Sequence, residues 1–447
     1  MTSTTIRIGA GAGYAGDRIP PALELAEHGQ LDYLVFECLA ERTIALAQLE
    51  KAQHPHLGFD PLLSARMRAV LPACVRHGVT IITNMGAAHP MAAARAIAAV
   101  AQKLKLPSLK IAVVEGDDVL AHMQDPQLRL MENGAPLHTL GERIISANAY
   151  LGAEPIVQAL AQGAHIVVTG RVADPALFLA PLMHEFGWSS TDWDRLGKGI
   201  LVGHLLECAG QVTGGYFADP GYRDVPDLAR LGFPLAEVAP SGHAVITKVE
   251  KSGGAVTVHT CTAQLLYEVD NPAHYIQPDV IADFSGVQFE QMGPNRVSIS
   301  GARGAPRPSH YKVTIGYHDG FIGEGQISYA GPGALARGRL ALDVVKARLE
   351  AQGLTGTEIR YDLIGHNAIH GETLSAGHEP YEVRVRVAVR TPERRVAEAV
   401  AHEVETLYTN GPSGGGGATK SIREVVAAAS TLLARERVTP HVTFLET

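Results

Sequence analysis

The chain has 447 residues, enough at about 150 residues per domain for two or three domains with a sizeable core. With 46% hydrophobic and 19% charged residues it reads as globular, and its longest apolar runs are interrupted well before the roughly 18 residues of a membrane span. A net charge of −8 without a dense Lys/Arg run argues against a nucleic-acid partner. Four scattered cysteines (Cys38, Cys74, Cys208, Cys261) form no CxxC pair, fit a reducing compartment and give no metal signature. The N-terminus lacks the order of a signal peptide, so a cytoplasmic location is expected.

In chain order, five short apolar segments are predicted as strands: Ile6–Gly9, Tyr33–Glu37, Val79–Asn84, Lys110–Glu115 and His165–Gly170. Helical patterns separate them at Pro21–His28, Glu41–Lys51, Met91–Leu104 and Pro155–Gln162. Strands alternating with helices predict an α/β fold, a doubly wound parallel-sheet domain over residues 1–220. A mixed α+β domain over 221–447 is expected to follow. Its predicted parts begin with a hairpin of His243–Glu250 and Ala255–Thr262 about Lys251-Ser252-Gly253-Gly254. A second pair is expected of Tyr311–Tyr317 and Gly325–Tyr329 about Asp319-Gly320. Then come a helix with Leu335, Leu342, Val345 and Leu349 on one face, strands at Glu358–Ile364 and Tyr381–Val389, and a helix with Val396, Val400, Val404 and Leu407. A last helix is predicted over Thr419–Arg435.

Ligands of open parallel sheets bind beyond the carboxyl ends of the strands. Those ends carry Gly11, Gly13, Gly16, Asp17 and Arg18; Glu37, Cys38 and Glu41; Asn84; Glu115 and Asp117; and Arg171 and Asp174. Arg18 and Arg171 suit a carboxylate or a thioester carbonyl, whereas Asp117 and Asp174 can equally cap the next helices. Gly11–Gly16 spells G-x-G-x-x-G after a strand, and Glu37 ends the next strand at the spacing of a ribose-binding acid. Against a dinucleotide site, Pro21 reads as the first helical residue, leaving the third glycine outside the helix. The run Asn410, Gly411, Pro412, Ser413, Gly414, Gly415, Gly416, Gly417 fails as a P-loop, but before a helix its N–H groups would bind an anion. His204 and Glu207 stand at i, i+3 on one helical face, a spacing for proton relay or metal binding. No second His at ligand spacing supports the metal.

These stretches together resemble the AtuA family, the acyclic terpene utilisation proteins. The likeness is carried by GAGYAGDR at 11–18, YLVFECLAERT at 33–43, TNMGAAHP at 83–90, TGRVADP at 169–175, HLLECAGQVTGG at 204–215 and NGPSGGGGA at 410–418. The resemblance implies bacterial catabolism of branched compounds through acyl-CoA thioesters. It also implies a ferredoxin-like C-terminal domain in longer members, which this chain is expected to lack.

The expected activity is a cofactor-free lyase, hydratase or isomerase acting on a branched carboxylic acid or its CoA thioester, with CoA only as part of the substrate. Glu37, His204 and Glu207 would be its acid–base groups. Gly13, Arg18, Asn84, Arg171, Asn410, Ser413, Gly414, Gly415 and Gly416 would bind the substrate. The alternatives are an NAD-dependent oxidoreductase using Gly11–Gly16 and a non-catalytic acyl-CoA-binding or scaffold subunit. Ala-rich faces such as Ala92–Val100, and apolar residues of Val396–Arg435 expected to lie uncovered, point to a homo-oligomer and a small companion subunit.

Overall fold

A computed structural model describes residues 5–354 and 358–447. The protein is mixed α/β, with twelve helices among the described residues. It divides into two compact units, residues 1–316 with 428–447, and residues 317–427.

The first unit is built on a ten-stranded sheet. Its centre is five parallel strands in the spatial order Ile6–Ala12, Tyr33–Phe36, Thr80–Thr83, Ile166–Thr169, Lys110–Glu115. These are the five segments read as strands from the sequence, and all of their mutual pairings are parallel. Tyr33–Phe36 and Ile166–Thr169 are buried at every position, which is why they read as unbroken apolar runs. The helices Pro20–His28, Leu63–His77 and Pro90–Lys103 pack in one row, and Glu154–Ala161, Ala176–Phe186 and Trp193–Glu207 in another. Ala93, Ala94 and Ala98 are buried within this unit, so the small face of Pro90–Lys103 already has a use in packing.

Antiparallel strands extend the sheet at both edges. Pro234–Val238 pairs with Ile6–Ala12, and Ala244–Lys248, Arg296–Ser300 and Gln288–Gly293 continue outward. On the other side His441–Glu446 pairs with Lys110–Glu115. These ladders explain why the compact unit runs on to residue 316 rather than stopping near 220. A three-stranded antiparallel sheet of Tyr275–Ile276, Ile281–Asp283 and Arg303–Ala305 lies against the helix Trp193–Glu207. That approach is possible because Gly197 and Gly304 have no side chains. A Cβ on Gly304 would come 1.9 Å from the Trp193 carbonyl oxygen, and one on Gly197 2.1 Å from that of Arg303.

The second unit orders its strands as Glu358–Ile364, Glu382–Thr391, residues 317–330 and residues 416–427. With the helices Ala334–Ala351 and Arg394–Glu405 this is the β-α-β-β-α-β arrangement of ferredoxin-like units, here formed by internal residues. Its core joins Val383, Val385, Val387 and Val389 to Leu335, Val345, Leu349, Val396, Val400 and Val404.

Several sequence expectations need correction. The predicted helix Thr419–Arg435 does not form: residues 419–434 lie in the strand Gly416–Ala434, where the β-branched Thr, Ile and Val side chains fit the pleat, and Arg435 begins a short turn. The run Ala255–Thr262 does not pair with Ala244–Lys248, because Thr257 and Thr260 form a reciprocal capping box that opens the helix Val258–Leu266. Asp319-Gly320 is no hairpin turn: His310–Ala330 is one strand of 21 residues, and Gly320, with φ of +81°, bends it just before its pairing with Glu382–Thr391 begins at Phe321, without reversing the chain. Val396, Val400 and Val404 are buried in their own unit, so that face does not lie uncovered as expected.

Candidate active site

A cavity of about 420 Å³ opens in the first unit. It gathers Glu41 at the start of the helix Glu41–Gln53, Tyr150 after the strand Ile144–Ala149, Asp174 beyond Ile166–Thr169, and Glu207 at the end of Trp193–Glu207. Tyr275, Pro278, Tyr311 and Lys312 complete much of the wall, and Met131, Ile276 and Leu432 form partly exposed apolar lining. Carboxylates from separate elements thus converge on one space, as the rule for carboxyl ends of parallel strands leads one to expect.

The pair read from the sequence as i, i+3 is formed. His204 Nδ1 lies 2.7 Å from Glu207 Oε1, and His204 Nε2 lies 3.2 Å from the Leu265 carbonyl oxygen. The imidazole is buried against Tyr275 and Phe284, with ring centroids 5.4 Å and 6.0 Å away. Burial pushes the Glu207 carboxyl up to about 7 even though His204 pulls against it, and the Asp174 charge adds to the rise. Glu207 Oε2 is buried and has no hydrogen-bond partner. Burial opposes the charge on His204, but Glu207 outweighs it and raises the imidazole's pKa. Burial and then the Glu207 charge push the thiol of Cys208, beside them, well above its ordinary value.

Arg171 is 1% exposed. Its Nη2 holds Asp174 Oδ1 at 2.8 Å, its guanidinium lies 4.0 Å from the Tyr150 ring centroid, and its Nε and Nη1 make no hydrogen bond. Burial opposes its charge, but Asp174, Tyr150, Glu37 and Glu41 together hold it firmly cationic. Burial raises Asp174 above the usual range despite Arg171. Glu37, also buried, accepts from Leu39 N at 2.8 Å and Asn84 Nδ2 at 2.9 Å. Burial and then the Asp174 charge push it up to about 8. Asn84 Oδ1 in turn accepts from Cys38 N at 2.7 Å, so its side chain fixes the end of the second strand. Glu41 behaves in the opposite way. Burial raises it, but the Tyr150 hydroxyl, Arg171 and Lys312 win and bring it down to about 2. A lowered Glu41 and the raised Glu37, Asp174 and Glu207 are thus neighbours of Arg171 or of the cavity.

Asp117 and Asp174 do not cap helices. Asp117 accepts from Arg171 N at 2.9 Å and Asn148 Nδ2 at 2.8 Å, and Asp174 holds the Arg171 side chain.

Other expected binding residues lie elsewhere. Arg18 is exposed and donates to the carbonyls of Leu231 and Ala229. The Gly13 N–H, which would face a phosphate in a dinucleotide site, donates to Asp17 Oδ2 at 2.9 Å. The carbonyls of Tyr14, Ala15 and Asp17 converge on the buried Arg66, and the next helix begins only at Pro20. Asn410, Ser413, Gly414, Gly415 and Gly416 belong to the second unit, and the chain after them enters a strand, so the anion-binding helix N-terminus expected there does not form. Among the described residues no group of three or more His, Cys, Asp or Glu is placed to hold a metal ion, and no helix is long and apolar enough to cross a membrane.

Tyr150 and Lys312 were missed in the sequence. Tyr150 follows a strand that was not recognised, and Lys312 alternates on a strand in a pattern that reads as ordinary surface. Neither has a local motif. Comparison with curated proteins and with solved structures returned no match. Residues 6–444 match the family described as acyclic terpene utilisation family protein AtuA, and the chain belongs to that family, which points to a catabolic role.

Proposed function

We propose that the protein is an enzyme that moves a proton next to a carbonyl, a lyase or hydratase (or isomerase) on a branched carboxylic acid or its CoA thioester. The observation that carries this reading is Glu207 Oε2, an unpartnered carboxylate oxygen of a cavity-lining residue whose pKa sits at about 7. A general base works best with a pKa near the working pH.

In a dehydration, Glu207 takes the proton from the carbon beside the carbonyl while His204 holds the other carboxylate oxygen. Glu207 then passes that proton to the departing hydroxyl, which leaves as water as the carbon–oxygen bond breaks and the alkene forms, so the base is regenerated. Hydration is the reverse. Lys312 in the wall and Arg171 behind Tyr150 favour negative charge on the carbonyl oxygen. Glu37, protonated at neutral pH, couples electrostatically to Asp174. The apolar lining of Met131, Ile276 and Leu432 suits a hydrocarbon chain.

The test uses 3-methyl-branched carboxylic acids and their CoA thioesters in deuterated water. Mass spectrometry reads deuterium entering at the carbon beside the carbonyl. Wild type should exchange at least one of them and Glu207→Gln should lose at least 100-fold of that rate. Exchange unchanged in Glu207→Gln, or absent throughout, overturns the reading. Saturable acyl-CoA binding without exchange would favour a non-catalytic subunit, and saturable NAD(H) binding would favour an oxidoreductase.

A further inference from the structure

The strand Glu358–Ile364 lies at the end of its sheet, paired on one side with Glu382–Thr391 and, among the described residues, with nothing on the other. An open edge of seven residues without proline is a template for another strand unless charge prevents it. The charges here select one partner instead. The segment reads Glu358-Ile359-Arg360-Tyr361-Asp362-Leu363-Ile364, and about Tyr361 it is self-complementary. An antiparallel copy centred there sets Arg360 opposite Asp362 twice, Ile359 opposite Leu363 twice, and Tyr361 opposite itself. Moving the centre to Arg360 opposes two arginines and sets Glu358 against Asp362. Moving it to Asp362 opposes two aspartates. Parallel pairing in register stacks like on like. Cross-strand like charges are unfavourable and opposite ones favourable. Centring on Ile359 also sets Glu358 opposite Arg360 but overlaps only the start of the strand. The register centred on Tyr361, which overlaps the whole length and faces Glu358 with Ile364 only at the ends, is therefore favoured.

We propose that this edge pairs with the same edge of a second copy of the chain, in a two-fold dimer that joins the two four-stranded sheets. An isologous contact needs this kind of self-complementary patch. The Arg360 side chain is 63% exposed and long enough to reach across, exchanging its contact with Asp362 Oδ1 of its own strand at 3.1 Å for the partner's, while Asp362 itself is buried and stays held by Arg386 at 2.8 Å. The loop leaving the strand adds exposed apolar side chains, Ile369 at 87% and Leu374 at 76%. The core-facing side of the strand, with Ile359, Tyr361 and Leu363, continues apolar into the partner's.

The full-length chain is tested by light scattering on a sizing column at tens of micromolar. Wild type should run at twice 47.4 kDa. Arg360→Glu places like charges opposite Asp362 at both symmetric positions and should weaken association about tenfold or more, whereas Arg360→Gln, which loses the same contact to Asp362 within its own strand but adds no like charge, should weaken it less. In Tyr361→Cys the two new thiols meet on the two-fold axis, where facing Cβ atoms lie about 4.5–5.5 Å apart, so mild oxidation should give a covalent dimer that reductant reverses. A monomeric wild type overturns the proposal. So does a dimer that Arg360→Glu leaves intact and Tyr361→Cys fails to cross-link, since that dimer uses another surface.

Discussion

Replacing Arg171 by Met tests the electrostatic reading of the site. The guanidinium is fully buried, fixes Asp174 at 2.8 Å and neutralises a region that also holds Glu37 and Glu41. Methionine keeps most of the volume, so the packing loss is small beside the charge loss. Removing one partner of a fully buried ion pair costs about 3–5 kcal/mol; because the Asp174 side chain is 34% exposed, the loss here is smaller, about 2–3 kcal/mol. The cost should depend on pH. Asp174 and Glu37 already lie above their unfolded values, Glu37 at about 8, and without the cation both rise further. A carboxyl whose folded pKa is raised binds its proton more tightly in the folded state. Its destabilising effect is absent below the unfolded value near 4, grows up to the folded value and levels off above it. The variant's added penalty therefore sets in above each wild-type folded value: for Glu37 only beyond about pH 8, leaving Asp174 to carry the change below that. The variant should therefore suffer less at pH 5 than at pH 8. At roughly 2 °C per kcal/mol for a unit of this size, the pH 8 loss is about 4–6 °C in Tm, read by calorimetry at both pH values. Arg171→Lys keeps the charge but loses the fork and the stacking on Tyr150, and should fall between. An Arg171→Met penalty that is equal at the two pH values, or larger at pH 5, would refute the reasoning.

His204→Asn removes the cation that pulls Glu207 down, so the Glu207 limb of the proton-exchange profile should move to higher pH; a profile that stays in place with only the rate scaled would deny His204 its positioning role. Tyr150→Phe deletes the hydrogen bond to Glu41 and should raise that carboxyl from about 2, a change that carboxylate NMR titration reads directly. Gly13→Ala puts a Cβ 2.5 Å from the Cys208 backbone carbon and should cost about 1–3 kcal/mol in a thermal melt, with wild-type stability counting against the close packing of that loop on the end of Trp193–Glu207.

The parallel core was legible because burial on both faces writes itself into short apolar runs, and the helices between them have the period of a surface helix. Recognition failed where two patterns competed. Thr419–Arg435 offers Ile422, Val425, Val426, Leu432 and Leu433, which fit a helical stripe, yet the structure uses them in a long strand where its neighbours supply the hydrogen bonds. Val258–Leu266 fails in the other direction: strand-like Val and Thr residues are turned into a helix by two threonines that satisfy its first free N–H groups.

The site divides along the same line. Glu37, Asn84, Arg171 and the His204–Glu207 pair sit at strand ends or at helical spacing, positions that the chain's own periodicity marks. What that periodicity leaves out is the state of the charges. Glu41 lies four residues after Glu37 and has the same side chain, yet it titrates at about 2 while Glu37 stands at about 8. The difference comes from Lys312 and Tyr150, which are 271 and 109 residues away from Glu41 in the chain and touch it only after folding. Glu37 has burial and the Asp174 charge raising it, with only Arg171 among cations to oppose them. Two glutamates four residues apart in the chain are thus driven in opposite directions, one held as an anion by Tyr150, Arg171 and Lys312, the other pushed up by burial and the Asp174 charge. No local motif can encode that division, because it depends on which distant cation the fold delivers to which carboxylate.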